Sequence, residues 1–138
     1  MNVNWEGLLP ILGTVLIVDD DPILRTLMGY ILADMGAEPV AYPTAEDALT
    51  YLLQSHAHCL LVIVNHRLPG EIQGIDLIKI VRGKWPSMRS ILTSCDLLKS
   101  LTIPRQSVYL GKPWSPDQLV ATVAAVLRLT PPALHQAF

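Results

Sequence analysis

The chain has few charged residues and few cysteines, and each shortage excludes a class of function. Only 16% of its 138 residues are charged, and a net charge of −2 leaves no basic surface for nucleic acid. Two cysteines cannot form a disulfide framework, so we interpret Cys59 and Cys95 as reduced core residues of a cytoplasmic protein. No apolar run is long enough to span a bilayer, and the start MNVNWEG lacks the basic residues of a secretory signal. We therefore expect neither nucleic acid nor a membrane as a partner.

Apolar residues are abundant, at 51% of the sequence. Segments in which they have the spacing of a strand alternate with segments in which they have the spacing of a helix. Strand-like runs occupy residues 14–18, 38–42, 59–64, 90–93 and 107–110, and helical spacing follows most of them. The alternation indicates βαβ units and a parallel sheet. The first and third runs are continuously apolar, which is typical of central strands covered on both faces. We predict an α/β fold with a doubly wound, five-stranded parallel sheet.

Polar residues directly follow three of these strands. Asp19, Asp20 and Asp21 follow the first strand, Asn65 the third, and Lys112 stands just after the fifth. In open parallel sheets, ligands bind beyond the carboxyl ends of the strands where the strand order reverses. Adjacent carboxylates repel one another unless a cation neutralises them, and Mg²⁺ prefers oxygen ligands. The alternative is that the acids only cap the first helix, and spacing alone leaves both interpretations open.

Three motifs, VDDDP, LLVIVNHRLPG and VYLGKPW, occur in an order and at a spacing that resemble a response-regulator receiver domain. The resemblance covers Thr14 to about Leu129. It implies a flavodoxin-like sheet with strand order 2-1-3-4-5 and a non-enzymatic role, by protein contact, in two-component phosphorelay signalling. The implied partner is a sensor histidine kinase or a phosphotransfer protein. We divide the chain into an apolar N-terminal arm (1–13), a single receiver domain without a fused output domain (14–130) and a short tail (131–138).

The resemblance also implies a Mg²⁺ site. Asp20 would bind the ion directly and Asp19 through water, and the backbone carbonyl of Arg67 would be a further ligand. The remaining ligand, which is also the phosphoacceptor aspartate of the family, falls on Asn65.

A second group of residues is implied to form the switch. Ser94 would provide the hydroxyl that binds the phosphoryl group, with Thr93 as the alternative if the strand register lies one residue earlier. Lys112 would pair with a phosphoryl oxygen, and Pro113 would follow a cis peptide bond. Tyr109 would rotate with the switch.

The sequence departs from the family pattern at Asn65, which stands at the phosphoacceptor position. Its amide is neutral and is a far weaker nucleophile than a carboxylate, so the chain should not accept phosphate normally. Mg²⁺ should bind less tightly, and Lys112 should turn to Asp19 or Asp20. Natural degeneracy and an engineered Asp→Asn change both explain the residue. The stretch between Ser94 and Lys112 is short and contains Pro104, so we expect the fourth helix to be short or irregular.

Other interpretations remain open. The arm carries Trp5 and several aliphatic residues, which predict either a disordered terminus or a dimerisation and docking arm. The last helix has a broad apolar face that, together with the arm, could form the interface of a homodimer. The chain would then be a phosphorylation-independent pseudo-receiver module for dimerisation or docking. His66 could make access to the site pH-dependent. A flavin carrier is disfavoured because no glycine-rich phosphate loop follows the first strand.

Overall fold

A computed structural model describes residues 7–55, 59–96 and 107–130. Five strands and four helices lie within these residues: β1 (Thr14–Val18), α1 (Pro22–Asp34), β2 (Glu38–Tyr42), α2 (Ala45–Ser55), β3 (Cys59–Asn65), α3 (Gly74–Lys84), β4 (Arg89–Ser94), β5 (Ser107–Gly111) and α4 (Pro116–Leu127). The predicted fourth helix, between β4 and β5, falls on residues 97–106 and so lies outside the described residues. The tail at 131–138 lies outside them as well.

The strands form one parallel sheet in the order β2-β1-β3-β4-β5, which confirms the predicted doubly wound fold. Successive residues of a strand point to opposite faces, so each strand contributes to two cores. Val15 and Ile17 of β1 pack in a core with α1 and α4. Leu16 and Val18 pack in the other core, with α2 and α3. The order reverses between β1 and β3, which places the ligand-binding crevice of this fold at their carboxyl ends.

Residues typical of helix boundaries lie at both ends of α1. The Asp21 carboxylate accepts hydrogen bonds from the backbone N–H groups of Ile23 and Leu24, at 2.9 and 3.4 Å, and Pro22 begins the helix. Gly36, with φ of +92°, ends the turn after it. A Cβ at Gly36 would lie 3.0 Å from Pro10 Cβ, so the N-terminal arm passes directly over this position.

The described part of the arm, residues 7–13, packs against the domain itself. Leu9 N–H donates to the carbonyl of Leu129 at 2.7 Å, and Ile11 N–H donates to the carbonyl of Met35 at 2.8 Å. The arm therefore joins the chain just beyond α4 to the chain just beyond α1. Ile11 is 1% exposed in the core between α1 and α4, whereas its neighbour Leu12 is 82% exposed.

We expect an Ile11→Ala variant to lose roughly 2–4 kcal/mol of unfolding free energy, because a buried aliphatic side chain would be replaced by a cavity. Leu12→Ala is the matched control. It removes a side chain of the same size from the next residue, which faces solvent, and should change stability by less than about 0.5 kcal/mol. Urea denaturation of both variants measures the difference. Equal losses would show that the arm does not pack as described.

The two cysteines are not both core residues, contrary to the sequence interpretation. Both are free, but only Cys59 is buried, and burial raises the pKa of its thiol. Cys95 is exposed because it follows the last residue of β4, beyond the edge of the sheet. None of the helices in the described part of the chain has the length and apolar character needed to span a membrane.

Candidate functional site at the carboxyl ends of the strands

The residues predicted for the site lie at the carboxyl ends of four neighbouring strands. Asp19 and Asp20 follow β1, Asn65 is the last residue of β3, Ser94 is the last residue of β4, and Lys112 follows β5. Because all strands run in the same direction, these ends share one edge of the sheet. The parallel sheet thus brings together residues up to 93 positions apart, the separation of Asp19 and Lys112.

Asp19 is the buried charge of the site. Its side chain is 1% exposed, and its Oδ2 atom lies 2.9 Å from Nζ of the half-buried Lys112. The second oxygen, Oδ1, accepts a hydrogen bond from the backbone N–H of Asp21 at 2.9 Å. Both carboxylate oxygens of Asp19 therefore have partners within the chain. The expectation that Lys112 turns to one of the two aspartates is confirmed.

Asp20 differs from Asp19 although the two are adjacent. Its side chain is exposed, and the structure records no hydrogen bond to its carboxylate from the described residues. The Asp19 backbone carbonyl, by contrast, accepts a hydrogen bond of 2.7 Å from Arg25 Nη1 of α1. The first strand end therefore presents one fixed, paired carboxylate and one free, solvated carboxylate.

Asn65 donates a hydrogen bond from Nδ2 to the backbone carbonyl oxygen of Arg67, at 2.7 Å. An aspartate in the same position would bring two oxygens face to face, and they would repel one another unless a cation lay between them. An amide needs no cation because its own N–H is the donor. The Asn65 side chain thus satisfies the same carbonyl that the resemblance assigns to Mg²⁺.

This arrangement offers a Mg²⁺ ion fewer free ligands than the resemblance implies. The Arg67 carbonyl and both oxygens of Asp19 already have partners within the chain, and position 65 contributes a neutral amide. Mg²⁺ demands near-ideal octahedral geometry and is usually bound through carboxylates. Within residues 7–55, 59–96 and 107–130, no group of three or more His, Cys, Asp or Glu side chains is placed to hold a metal ion.

The strand register distinguishes the two candidate hydroxyls. Thr93 is paired with Asn65 across β3 and β4, and paired residues of parallel strands point to the same face. Ser94, one residue later, points to the other face, where its Oγ accepts a hydrogen bond from the backbone N–H of Asp96 at 2.9 Å. The buried Thr93 hydroxyl has no partner among the described residues.

Tyr109 and Pro113 lie where the resemblance implies a switch. The Tyr109 hydroxyl lies 3.0 Å from the carbonyl oxygen of Ser94 and 2.7 Å from that of Asp96. The side chain therefore reaches across from β5 to the end of β4. The Lys112–Pro113 peptide bond is cis, as predicted.

Two side chains of this region were not recognised from the sequence as parts of the site. Arg67 was named only for its carbonyl, but its Nε atom also pairs with Oδ2 of Asp96 at 2.7 Å. The two residues are 29 positions apart, on the loops that follow β3 and β4. Opposite charges just beyond two neighbouring strand ends are the signal that could have indicated this pair.

His66 does not join the predicted site residues. Its backbone continues the pairing of β3 with β4, because His66 N–H donates to the carbonyl of Thr93 at 2.8 Å. Its Nδ1 atom is buried and has no partner among the described residues. Two further histidines shortly before β3, His56 and His58, lie outside those residues.

A carboxylate from α2 anchors the loop after β3. Glu46 Oε2 accepts hydrogen bonds from the backbone N–H groups of Glu71 and Ile72, at 2.8 and 3.0 Å. The Ile72 bond is the main cause of a lowered pKa of the Glu46 carboxyl. A lowered folded-state pKa stabilises the protein above the unfolded pKa, and this contribution is lost as pH falls through the folded pKa. The loop therefore loses its anchor in acid.

We expect Gly70→Ala to destabilise the protein by about 1–3 kcal/mol. Gly70 has φ of +93°, and an added Cβ would lie 2.7 Å from Glu46 Oε1, so the change strains the backbone and displaces the carboxylate. Gly29→Ala in the middle of α1 is the matched control. It meets no atom within 4 Å and should stabilise the helix by about 0.5–1 kcal/mol. Thermal unfolding distinguishes the opposite signs; stabilisation by both would contradict the described loop.

Comparisons with known proteins agree on one family. The family model described as the response regulator receiver domain matches residues 15–124. The hydrogenase transcriptional regulatory protein HoxA of Bradyrhizobium diazoefficiens is 33% identical over 122 residues, which cover 85% of this chain and 24% of HoxA. The DNA-binding response regulator MtrA of Mycolicibacterium smegmatis is 30% identical over 117 residues, which cover 83% of this chain and 50% of MtrA.

The chain thus spans between a quarter and a half of the length of these two relatives. Among solved structures, the response regulator receiver domain protein (CheY-like) from Methanospirillum hungatei has a TM-score of 0.75 at 24% identity. The match covers 86% of this chain and 95% of that one. This likeness supports the fold, and the family model supplies the family. Because that model covers most of the sequence and the strand ends carry the acids and the lysine of its site, the chain belongs to the response-regulator receiver domains of two-component signalling.

Proposed function

We propose that this chain is a receiver domain that acts through protein contact and does not accept phosphate at position 65. Receiver domains are signalling modules that interact with histidine kinases or phosphotransfer proteins, and they generally bind Mg²⁺ at the phosphorylation site. The observation that carries the proposal is the hydrogen bond from Asn65 Nδ2 to the Arg67 carbonyl. It ties the residue at the phosphoacceptor position into its own loop through a neutral group.

The proposal includes weakened Mg²⁺ binding. A divalent ion would have to displace the Asn65 amide from the Arg67 carbonyl and compete with Lys112 for Asp19. Each displacement breaks a favourable contact, and the neutral amide of Asn65 provides no negative charge that would attract the ion in compensation. Of the two aspartates that follow β1, only Asp20 has a carboxylate without a partner among the described residues.

We further propose that Thr93, rather than Ser94, takes the hydroxyl role of the family. Thr93 shares its sheet face with Asn65, and its hydroxyl is buried without a partner among the described residues. A buried hydroxyl is seldom left unpaired unless another group can reach it. The Ser94 hydroxyl accepts a hydrogen bond from Asp96 N–H and keeps its own hydrogen to donate, so Ser94 is the alternative for this role.

The test of this function is intact mass spectrometry of the unaltered protein after incubation with Mg²⁺ and a small-molecule phosphodonor. We expect no phosphorylated species, because the amide oxygen of Asn65 is not an anionic nucleophile. A phosphoryl group located at position 65 by peptide mapping would overturn the proposal. The same would hold for a mass gain that requires Mg²⁺ and maps to the strand ends.

A second candidate is a docking or dimerisation module, and one feature of the surface favours it. Val108 of β5 and four residues of α4 line an open groove of about 400 Å³, whose α4 residues are Ala121, Thr122, Ala125 and Val126. None of these residues is charged, so the groove is suited to an apolar contact. A mass in solution that rises with protein concentration and ignores Mg²⁺ and phosphodonor would support this candidate. The docking or dimerisation role of the arm, the cytoplasmic location and the choice of partner stay predictions.

A further inference from the structure

We propose that a latch made of Asn65, Arg67, Ser94, Asp96 and Tyr109 holds the ends of β3, β4 and β5 in one arrangement by contacts within the chain alone. The inference rests on the proposed function in one respect: the first link is the amide of Asn65, which stands where the family has its phosphoacceptor. The latch adds a consequence that the missing acceptor does not imply. The Tyr109 side chain keeps one position relative to the described residues around it, so a partner that contacts it there needs no activation step.

The first two links of the latch connect the loop after β3 to the end of β4. Asn65 Nδ2 donates to the carbonyl of Arg67 at 2.7 Å and so orients the backbone at residue 67. The Arg67 side chain then pairs with Asp96 across the strand ends, with 2.7 Å between Nε and Oδ2. Neither link involves Asp19, Asp20 or Lys112, so the latch is separate from the ion pair of the site.

The last two links connect the end of β4 to β5. Asp96 N–H donates to the Ser94 hydroxyl at 2.9 Å, which closes a turn just beyond β4. The Tyr109 hydroxyl lies 2.7 Å from the Asp96 carbonyl and 3.0 Å from the Ser94 carbonyl. A phenol has one hydrogen to donate, so the two carbonyls share it and the shorter contact is the stronger one. Both the side chain and the backbone of Asp96 are therefore held.

The links differ in strength. Arg67 is 80% exposed, and exposed ion pairs change an equilibrium by only about two- to threefold. The partly buried hydroxyl of Tyr109 bonds to backbone carbonyls, and a net hydrogen bond of that kind changes an equilibrium by roughly fivefold. We therefore expect the Tyr109 hydrogen bonds to contribute most to the stability of the latch and the Arg67–Asp96 pair to contribute less.

Amide hydrogen exchange of the full chain, measured by NMR at Asp96 N–H, tests the latch. Tyr109→Phe removes only the hydroxyl and should speed exchange at Asp96 about fivefold. Arg67→Gln should speed it about twofold, because only the exposed pair is lost. The matched controls are Tyr30→Phe on exposed α1 and Arg89→Gln at the exposed start of β4, and neither should alter Asp96. Exchange at Ile63, in the centre of β3, should stay unchanged in all four variants.

Unchanged exchange at Asp96 in Tyr109→Phe would overturn the latch, and so would a uniform rise that includes Ile63, because that indicates general destabilisation. Arg67→Gln tests the latch if Tyr109→Phe does not fold, since Arg67 lies on the surface. The same samples are then incubated with Mg²⁺ and a phosphodonor. Phosphorylation of the unaltered chain would overturn the proposed function, while exchange at Asp96 still decides the latch.

Discussion

The Asn65→Asp variant is expected to gain a phosphoryl group from Mg²⁺ and a small-molecule phosphodonor, whereas the unaltered chain gains none. The new carboxylate is an anionic nucleophile, and it would face the Arg67 carbonyl at a distance where two oxygens need a cation between them. One further negative charge about 4 Å from a divalent ion contributes several kcal/mol at an effective dielectric constant of ~20. Mg²⁺ should therefore bind the variant at least about tenfold more tightly than the unaltered chain.

Two measurements check this expectation. Intact mass reports the phosphoryl group, and a Mg²⁺ titration followed by tryptophan fluorescence reports binding, since Trp114 lies two residues beyond Lys112. Asn65→Ala is the matched control, because it removes the amide and adds no charge, so it should gain neither phosphate nor Mg²⁺ affinity. If Asn65→Asp also gains neither, the rest of the site is degenerate, and the loss of function extends beyond position 65.

A Lys112→Met variant should lose about 3–5 kcal/mol of unfolding free energy, because Asp19 would become a buried charge without a counter-charge. The Asp19 side chain is 1% exposed, and Lys112 Nζ lies 2.9 Å from it. Breaking a buried pair by removing one partner is strongly destabilising, although replacing both partners by uncharged groups often is not. The double variant Asp19→Asn/Lys112→Met should therefore recover much of the lost stability.

Urea denaturation measures these changes, and Lys79→Met is the matched control. Lys79 lies on the exposed face of α3, so the same side-chain change should cost less than about 0.5 kcal/mol there. A loss below ~1 kcal/mol for Lys112→Met would show that Asp19 finds another partner or becomes solvated. A double variant less stable than Lys112→Met would contradict the pairing of these two residues.

Most of the fold could be predicted from the sequence because its signals are local. The apolar runs marked all five strands, and the structure extends three of them by one or two residues: β3 to Asn65, β4 at both ends and β5 to Gly111. The turn at Gly36 and the caps of α1 were visible for the same reason. The end residues of strands are harder to predict, since pairing with a neighbouring strand decides them and that neighbour is distant in sequence.

The site was predicted less completely, and Thr93 and Ser94 illustrate the reason. Both carry a hydroxyl, and they are adjacent, so only the pairing of Thr93 with Asn65 distinguishes their faces. A shift of one residue in register exchanges every side chain between the two faces of a sheet. The sequence contained both candidates but not the register.

The sequence by itself determined the doubly wound fold, the acids at the end of β1, the neutral residue at position 65 and the lysine beyond β5. These properties follow from residue type and spacing along the chain. Only the tertiary structure decided that Lys112 pairs with Asp19, that Asn65 binds the Arg67 carbonyl, and that Arg67 meets Asp96. It also decided that Ile11 of the arm belongs to the core. The physical reason is that parallel strands bring together side chains from distant parts of the chain, and each side chain then pairs with the neighbour that best balances its charge, hydrogen bonds or apolar surface.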